Sequence, residues 1–376
     1  MFVDEKNKQN IYYSINKNAD IIYELRDVGD SCLKQNFVSV TEFKKPNGVN
    51  LHEYCSFGYY WHPDPTKPNG LPYIKKDGII NVEANKGCKV ALKNMAESVF
   101  HLAVAGHYLQ NKIYTDYAIN LLYTWFVDKD TYMNPNLKFA QIIPGIDMIR
   151  GIGIIDGLPF ITICHALEYI NNPIIDDMKK WFSEYLHWLN SSEYGRMLTK
   201  NNKNNHISYY NAQLMCYAIF TDNEKIIQEC VERYKIILQT QTNDECAFTA
   251  ELTRTRSLHY CLFMLESLVI TCELAFQRGI DLWKYTTNCG KNIEKCIDFM
   301  FPYIKKPFRW PFPQIIDEYI APQSGLQLGA IRLGRDDYRI LDEKMRDEMK
   351  TIYPFLHIDE LKVPCMGELC FLEGYF

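Results

Sequence analysis

The chain has 376 residues, of which 47% are hydrophobic and 23% are charged. These fractions are those of an ordinary globular protein, so they exclude a disordered or a collagen-like chain. The net charge of −5 at pH 7 argues against a general nucleic-acid-binding protein, because such proteins usually carry a basic surface. A chain of this length can bury a large core, as one large domain or as two smaller ones.

The sequence contains no run of 18 consecutive apolar residues, so it predicts no membrane-spanning segment. The first ten residues, MFVDEKNKQN, are polar and lack the apolar core of a secretory signal. The protein therefore either stays inside the cell or has lost an export signal. The 13 cysteines are scattered singly, and their number is odd, which favours free cysteines in the core over a disulfide framework.

Apolar residues recur every three or four positions along most of the chain, a pattern that predicts amphipathic α-helices. In chain order, these helices are predicted at 94–109, 114–126, 173–189 and 224–238. The segment 257–277 is apolar on nearly all sides, which is typical of a buried helix, and Gly279 is its expected stop.

Short polar breaks at 171–173 and 221–223 separate successive helices, which predicts that neighbouring helices are antiparallel. About ten helices joined in this way form either a solenoid or an α/α toroid. We find no sequence repeat of fixed period, which argues against the solenoid. Since no linker divides the chain, we predict one all-α domain spanning 1–376, with an irregular C-terminal segment at about 304–376.

The first candidate functional segment is GYYWHPDPTKPNGLPYIKKDG, at residues 58–78. Its proline and glycine content excludes a regular helix. Aromatic side chains such as Tyr60 and Trp61 can cover the apolar faces of sugar rings, and Lys75 can bind a carboxylate. Taken alone, however, the segment is better explained as a surface loop that its aromatic residues anchor to the core.

The second segment is KNNKNNHISYYNAQ, at residues 200–213. Asn204 and Asn205 stand where the N-cap of a helix is expected. His206 and Tyr210 then share one face of that helix. A histidine at a helix start usually has a structural role, but the neighbouring asparagines and lysines favour an anion-binding site.

The third segment is ELTRTRSLHY, at residues 251–260, where the most apolar helix begins. Arg254 and Arg256 suit bidentate binding of a carboxylate. Tyr260 beside a guanidinium group has its phenolate form favoured, so it can serve as a base. The alternative is a surface ion-pair network beside an ordinary buried tyrosine.

Together with TWFVDKDTYMNPNLKFAQIIPG (124–145) and RGIGIIDG (150–157), these segments resemble the alginate lyase superfamily, polysaccharide lyase families five and thirty-eight. The resemblance extends over most of the chain. It implies an incomplete (α/α) toroid with a deep cleft and a mobile aromatic lid, which would be the loop at about 58–87. It also implies a secreted or periplasmic enzyme.

The catalytic residues that the resemblance implies are Asn205, His206, Arg254 and Tyr260. The chain departs from the family where Ile207, Ser208 and Tyr209 replace a frequent Gly-Thr-Trp after the histidine. Thr253 stands where family five has its arginine, whereas Arg254, six residues before Tyr260, has the spacing of family thirty-eight. Arg256 remains a competing candidate.

The implied reaction is β-elimination in a β-1,4-linked uronic-acid polymer, either mannuronate-rich alginate or glucuronan. Asn205, Arg254 and His206 would offset the charge of the uronate carboxylate, and Tyr260 would act as base and then as acid. The reaction needs no metal or cofactor, and the nine histidines show no HxH or HExxH spacing.

The further predicted substrate-binding residues are Tyr60, Trp61, Lys75, Lys138, Arg150, Tyr210 and Arg256. The predicted partner is an acidic polysaccharide alone, with no nucleic acid or membrane, and the protein is predicted to be a monomer.

Two alternative functions belong to other classes. An α/α-barrel glycoside hydrolase acting on acidic oligosaccharides would need two carboxylic acids, and Asp147, Asp156 and Glu251 lie near the motifs without an obvious pairing. A catalytically inactive uronan-binding protein would bind the polymer without forming product. The complete set of asparagine, histidine, arginine and tyrosine argues against it.

Overall fold

The computed structural model of the chain describes residues 19–84, 86–201, 203–317 and 320–352. These residues form two compact units. The central unit comprises the described residues of Gly29–Asn202, and the terminal unit comprises those of Met1–Val28 and Lys203–Phe376. The sequence-based prediction of a single domain stays a prediction.

The central unit consists of helices with a few short strands. The first helix, α1 at Ala19–Leu33, includes residues of both units. The further helices of the central unit are α2 at Cys88–Tyr108, α3 at Lys112–Phe126, α4 at Pro159–Ala166, α5 at Ile174–Ser191 and α6 at Glu193–Asn201. Its strands are β1 at Cys55–Phe57, β2 at Trp61–His62, β3 at Ile74–Lys75 and β4 at Phe139–Ile142. Strands β1 and β4 pair in parallel, whereas β2 and β3 form an antiparallel pair inside the loop at 58–87.

The described part of the terminal unit is helical outside its connections. Its helices are α7 at Asn205–Phe220, α8 at Glu224–Thr240, α9 at Ser257–Phe276, α10 at Ile293–Lys305, α11 at Ser324–Leu333 and α12 at Asp336–Ile352. Helix α7 packs against α8 and α9. Both α7 and α9 are buried over almost their whole length, as the apolar sequence of 257–277 predicts.

The predicted polar breaks are helix starts. Asn172 accepts a hydrogen bond from the N–H of Ile174 at 2.9 Å, and Asn223 accepts one from the N–H of Ile226 at 3.2 Å. These side chains satisfy backbone donors that the first turn of a helix leaves without a partner. All five helices predicted from apolar periodicity are present.

The prediction of an irregular segment at 304–376 is wrong for part of its length. Helices α11 and α12 lie within it, while residues 353–376 fall outside the described part of the chain. Helix α12 was missed because its sequence is dominated by charges. Its buried apolar side chains, among the residues whose burial is described, are those of Tyr338, Leu341 and Met345, spaced three and four residues apart.

Two helical segments, Gly151–Tyr169 and Ser257–Phe276, are long and apolar enough to cross a membrane by length and composition alone. In the structure, however, 78% and 83% of these windows are buried inside the protein, which is the pattern of core helices. The eleven cysteines in the described ranges are free, and all but Cys55 and Cys289 are buried. The prediction of free cysteines in the core is confirmed for the nine buried ones.

Asp156 organises the polar interior of the central unit. Its buried carboxylate accepts hydrogen bonds from Ser56 Oγ at 2.5 Å, Gln141 Nε2 at 2.9 Å and Tyr54 Oη at 3.1 Å. Lys89 Nζ lies 3.2 Å away and forms an ion pair with it. Because four donors from three separate segments meet one anion, Asp156 connects β1, α2 and β4.

We expect Asp156→Ala to destabilise the protein by about 3–5 kcal/mol, because it removes the buried carboxylate that pairs with the Lys89 cation. The free energy of unfolding in urea measures this loss. The matched control is Asp116→Ala, which removes an exposed ion pair with Lys112 and should cost less than about 1 kcal/mol. Equal losses in the two variants would contradict the assignment of Asp156 as a buried anchor.

Candidate active site

The start of α7 supplies the first part of the candidate site. Asn204 caps the helix, and its side-chain oxygen accepts a hydrogen bond from the backbone N–H of His206 at 3.2 Å. The same oxygen lies 3.0 Å from Nδ1 of His206. Because an amide oxygen only accepts, Nδ1 carries the proton, and neutral His206 has its lone pair on Nε2. The cap therefore determines which ring nitrogen can take up a proton.

Glu251 joins this helix start to the third sequence motif. The residue is 1% exposed, and its Oε1 accepts hydrogen bonds from the backbone N–H of Asn205 at 2.6 Å and from Asn205 Nδ2 at 2.9 Å. Its Oε2 lies 3.8 Å from a terminal guanidinium nitrogen of Arg254. One buried carboxylate thus contacts two of the four predicted catalytic residues.

Arg254 and Tyr260 are in direct contact. The guanidinium carbon of Arg254 lies 3.7 Å from the centroid of the Tyr260 ring, which is a cation–π geometry. Arg254 belongs to the turn before α9, and Tyr260 is the fourth residue of that helix. The Tyr260 ring is mostly buried, whereas the Arg254 side chain is 20% exposed. A charged group with some access to solvent therefore lies over the aromatic ring.

His259 lies beside this pair. Its ring contacts Tyr260 edge to face, with 5.2 Å between the centroids, and stacks on Phe263. Burial, followed by the positive charges of Arg256 and Arg254, lowers the pKa of His259 to about 3. His259 is therefore neutral at neutral pH and adds no positive charge next to Tyr260.

Arg256 lies in a more tightly packed environment than Arg254. Arg256 is 1% exposed. The adjacent Ser257 donates a hydrogen bond to the carbonyl of Pro313 at 2.6 Å and accepts one from the indole N–H of Trp310 at 2.7 Å. The guanidinium of Arg256 is therefore enclosed, whereas that of Arg254 is partly exposed and contacts Tyr260. This geometry favours Arg254 as the partner of a substrate carboxylate.

Tyr210, a predicted substrate contact, is 1% exposed. The guanidinium carbon of Arg233 lies 5.5 Å from the centroid of its ring. Burial raises the pKa of Tyr210 to about 12, although the charge of Arg233 opposes this shift. The ring therefore offers almost no surface to a sugar in this conformation.

The central unit contains the other predicted substrate contacts. Trp61 pairs with Lys75 across the two short strands β2 and β3, and the guanidinium carbon of Arg150 lies 5.6 Å from the centroid of the Trp61 ring. Tyr60 adjoins this hairpin and is half-buried. Lys75 is exposed and lies 3.5 Å from Asp77. The loop at 58–87 thus presents aromatic and cationic side chains together.

Lys138 and Arg150 differ in how their charges are compensated. Lys138 Nζ forms an ion pair with the buried carboxylate of Glu53 at 2.7 Å, which favours a structural role. Burial lowers the pKa of Arg150 to about 10, although Asp156 opposes this shift, so Arg150 is still charged at neutral pH. Its Nε atom is buried and has no hydrogen-bond partner among the described residues. Arg150 is therefore the better candidate for binding an anion.

Within the described ranges, no group of three or more histidine, cysteine, aspartate or glutamate side chains is arranged to hold a metal ion. The terminal unit instead brings the amide of Asn205 and the guanidinium of Arg254 to one carboxylate, and the same guanidinium to the phenol ring of Tyr260. Such groups can stabilise a carboxylate and transfer protons.

The role of Glu251 was missed by the sequence analysis, which considered it only as an acid for a hydrolase. The available signal was an acidic residue at the start of the ELTRTRSLHY motif. An acid three residues before an arginine can pair with it when the intervening residues form a turn. Such a turn is present, because the N–H of Arg254 donates to the carbonyl of Glu251 at 3.1 Å.

Comparison with known proteins identifies the family of this chain. The sequence matches the alginate lyase family over residues 39–310. Among solved structures, an alginate lyase from Bacteroides ovatus shares 29% sequence identity with a TM-score of 0.83, over 90% of this chain and 94% of that chain. No curated protein sequence matches the chain significantly.

Two further structures share the fold at lower identity. An alginate lyase from Sphingomonas species A1 is 16% identical with a TM-score of 0.55, over 84% of this chain and 88% of that chain. An alginate lyase complexed with a tetrasaccharide is 15% identical, with the same TM-score and coverage. The predicted fold class, an all-α incomplete (α/α) toroid, is confirmed. Since the family match spans well over half of the residues, the chain belongs to the alginate lyase family.

Proposed function

We propose that this protein is a polysaccharide lyase that cleaves a β-1,4-linked uronic-acid polymer, mannuronate-rich alginate or glucuronan, by β-elimination. Membership of the alginate lyase family supports the lyase class. The observation that carries the proposal is the contact between Glu251 and both Asn205 and Arg254, with Arg254 stacked on Tyr260. Two distant motifs thereby supply carboxylate-binding groups and a proton-transfer group to one place.

The first chemical requirement is to offset the charge of the uronate carboxylate. The C5 proton is a very weak acid while the neighbouring carboxylate keeps its full negative charge. Asn205 and Arg254 can donate hydrogen bonds to that carboxylate, which stabilises the negative charge that grows on it in the transition state. A protonated His206 would add a further donor.

The second requirement is proton transfer at C5 and at the glycosidic oxygen O4. In β-D-mannuronate and β-D-glucuronate, the C5 proton and O4 lie on the same face of the ring. Tyr260 can therefore remove the proton and then protonate the leaving oxygen. The guanidinium of Arg254 over its ring stabilises the phenolate form, which Tyr260 needs before it removes the proton and regains after it protonates O4.

His206 is the group suited to a base on the opposite face of the ring. In α-L-guluronate the C5 proton and O4 lie on opposite faces, so one tyrosine cannot serve both. With Nδ1 protonated towards Asn204, neutral His206 has its lone pair on Nε2, the atom that would take up the proton. We propose that Tyr260 serves mannuronate or glucuronate and that guluronate would depend on His206.

Of the other predicted contacts, Tyr60, Trp61, Lys75 and Arg150 would bind sugars of a uronic-acid polymer. Tyr60 and Trp61 can stack on sugar rings, while Lys75 and Arg150 can pair with carboxylates. The loop at 58–87 stays a predicted lid.

Of the three acids considered for a glycoside hydrolase, two are already bound by other side chains. The carboxylate of Asp156 is buried and is bound by four donors, and that of Glu251 is held by Asn205. Asp147 is exposed. A hydrolase also yields no unsaturated sugar, so the absorbance of the new double bond separates the two reactions.

We expect Tyr260→Phe to lower kcat by at least about 100-fold, because it removes the group proposed as both base and acid. Turnover is measured from the absorbance of the unsaturated product, and the circular dichroism spectrum should be unchanged. The control is Tyr234→Phe, which removes a buried hydroxyl that contacts Cys272 and should leave kcat unchanged. Near-normal turnover in Tyr260→Phe would refute the single-tyrosine scheme.

We expect His206→Ala to lower kcat by at least about 100-fold as well, since it removes a group proposed to bind the carboxylate or to transfer a proton. The same absorbance assay measures the loss. His187→Ala, at an exposed position of α5, serves as the control and should retain full activity. A fully active His206→Ala enzyme would exclude His206 from the reaction.

Substrate choice is tested with purified polymannuronate, glucuronan and polyguluronate under the same conditions. We expect product from polymannuronate or glucuronan and slower turnover of polyguluronate, because only the first two place the C5 proton and O4 on one face. Preferential cleavage of polyguluronate would contradict the role of Tyr260 as both base and acid.

A further inference from the structure

We propose that Glu251 is a positioning residue, which acts by fixing the side chain of Asn205 rather than by touching the substrate. This inference rests on the proposed lyase function and adds one residue to it. The resemblance and the motifs name an asparagine, a histidine, an arginine and a tyrosine, and they assign no role to this acid.

The first argument is the hydrogen-bond pattern. Both bonds to Asn205, from its backbone N–H and from Nδ2, end on the same oxygen, Oε1 of Glu251. An ionised carboxylate only accepts, so Asn205 must present its nitrogen and not its oxygen to Glu251. The amide is thereby held in one of its two orientations, and its second Nδ2 hydrogen keeps a fixed direction.

The second argument is electrostatic. Glu251 is 1% exposed, and a carboxylate that is removed from water needs charged or hydrogen-bonding partners. Arg254 lies 3.8 Å from Oε2 and supplies the opposite charge. The arrangement of Asn205 and Arg254 around one anion therefore exists before any substrate binds. Donors that are already oriented need no reorganisation as charge develops in the transition state.

The experiment is a double-mutant cycle on kcat with Glu251→Ala, Asn205→Ala and the double variant. We expect Glu251→Ala alone to lower kcat by about 100-fold with a smaller change in KM, because a misplaced donor mainly affects the transition state. In the Asn205→Ala background, the loss of kcat caused by Glu251→Ala should be at least about tenfold smaller, since the Asn205 side chain that Glu251 positions is already absent.

The conservative variant provides a second readout. Glu251→Gln keeps an oxygen that can accept both bonds from Asn205, so we expect its kcat to stay within about tenfold of the wild type. A glutamine variant as slow as Glu251→Ala would overturn the proposal, and so would equal effects of Glu251→Ala in both backgrounds.

The matched control is Glu266→Ala, which removes another buried carboxylate, on α9, hydrogen-bonded by Ser324 at 2.6 Å. It should lower Tm as Glu251→Ala does but leave kcat unchanged, because a purely structural role acts on stability alone.

The wild type is assayed first on all three polymers. No unsaturated product from any of them would overturn the proposed function and this inference together, whereas an active wild type with an additive cycle would overturn this inference alone.

Discussion

The buried carboxylate of Glu251 is the interaction on which the candidate site depends. Removing an anion from water is costly unless hydrogen bonds and an opposite charge compensate for it. Asn205 provides two hydrogen bonds and Arg254 provides the charge, although Asn205 lies 46 residues from Glu251 in the sequence. Satisfying this one group therefore requires the start of α7 to lie against the turn before α9.

Asp156 has the same role in the central unit. Its carboxylate is bound by Lys89, Gln141, Ser56 and Tyr54, which belong to segments that are distant in the sequence. In each unit, then, a buried anion connects segments that are distant in the sequence, because it needs donors from several of them.

Charge also bears on the proposed substrate, which is a polyanion. The net charge of −5 is unfavourable for binding a polymer of uronic acids, so attraction has to come from local cations. Arg254 is 20% exposed over the Tyr260 ring, and Arg150 keeps its charge despite partial burial. Lys89 and Lys138 contribute less to such attraction, because they lie closer to their carboxylate partners, at 3.2 Å from Asp156 and 2.7 Å from Glu53, than Arg254 lies to Glu251, at 3.8 Å.

The sequence by itself determined the main helices and the residue types of the site. Apolar periodicity is a local property, so it located α2, α3, α5, α8 and α9, and it missed other helices, among them the short α11 and the highly charged α12. The tertiary structure decided which of Arg254 and Arg256 contacts Tyr260, which nitrogen of His206 is protonated, and what Glu251 binds. The bond between Glu251 and Asn205 joins positions 46 residues apart, so it forms only when the chain folds. The contacts of His206 with Asn204 and of Arg254 with Tyr260 are local, but they depend on the side-chain orientations that the backbone allows at the starts of α7 and α9.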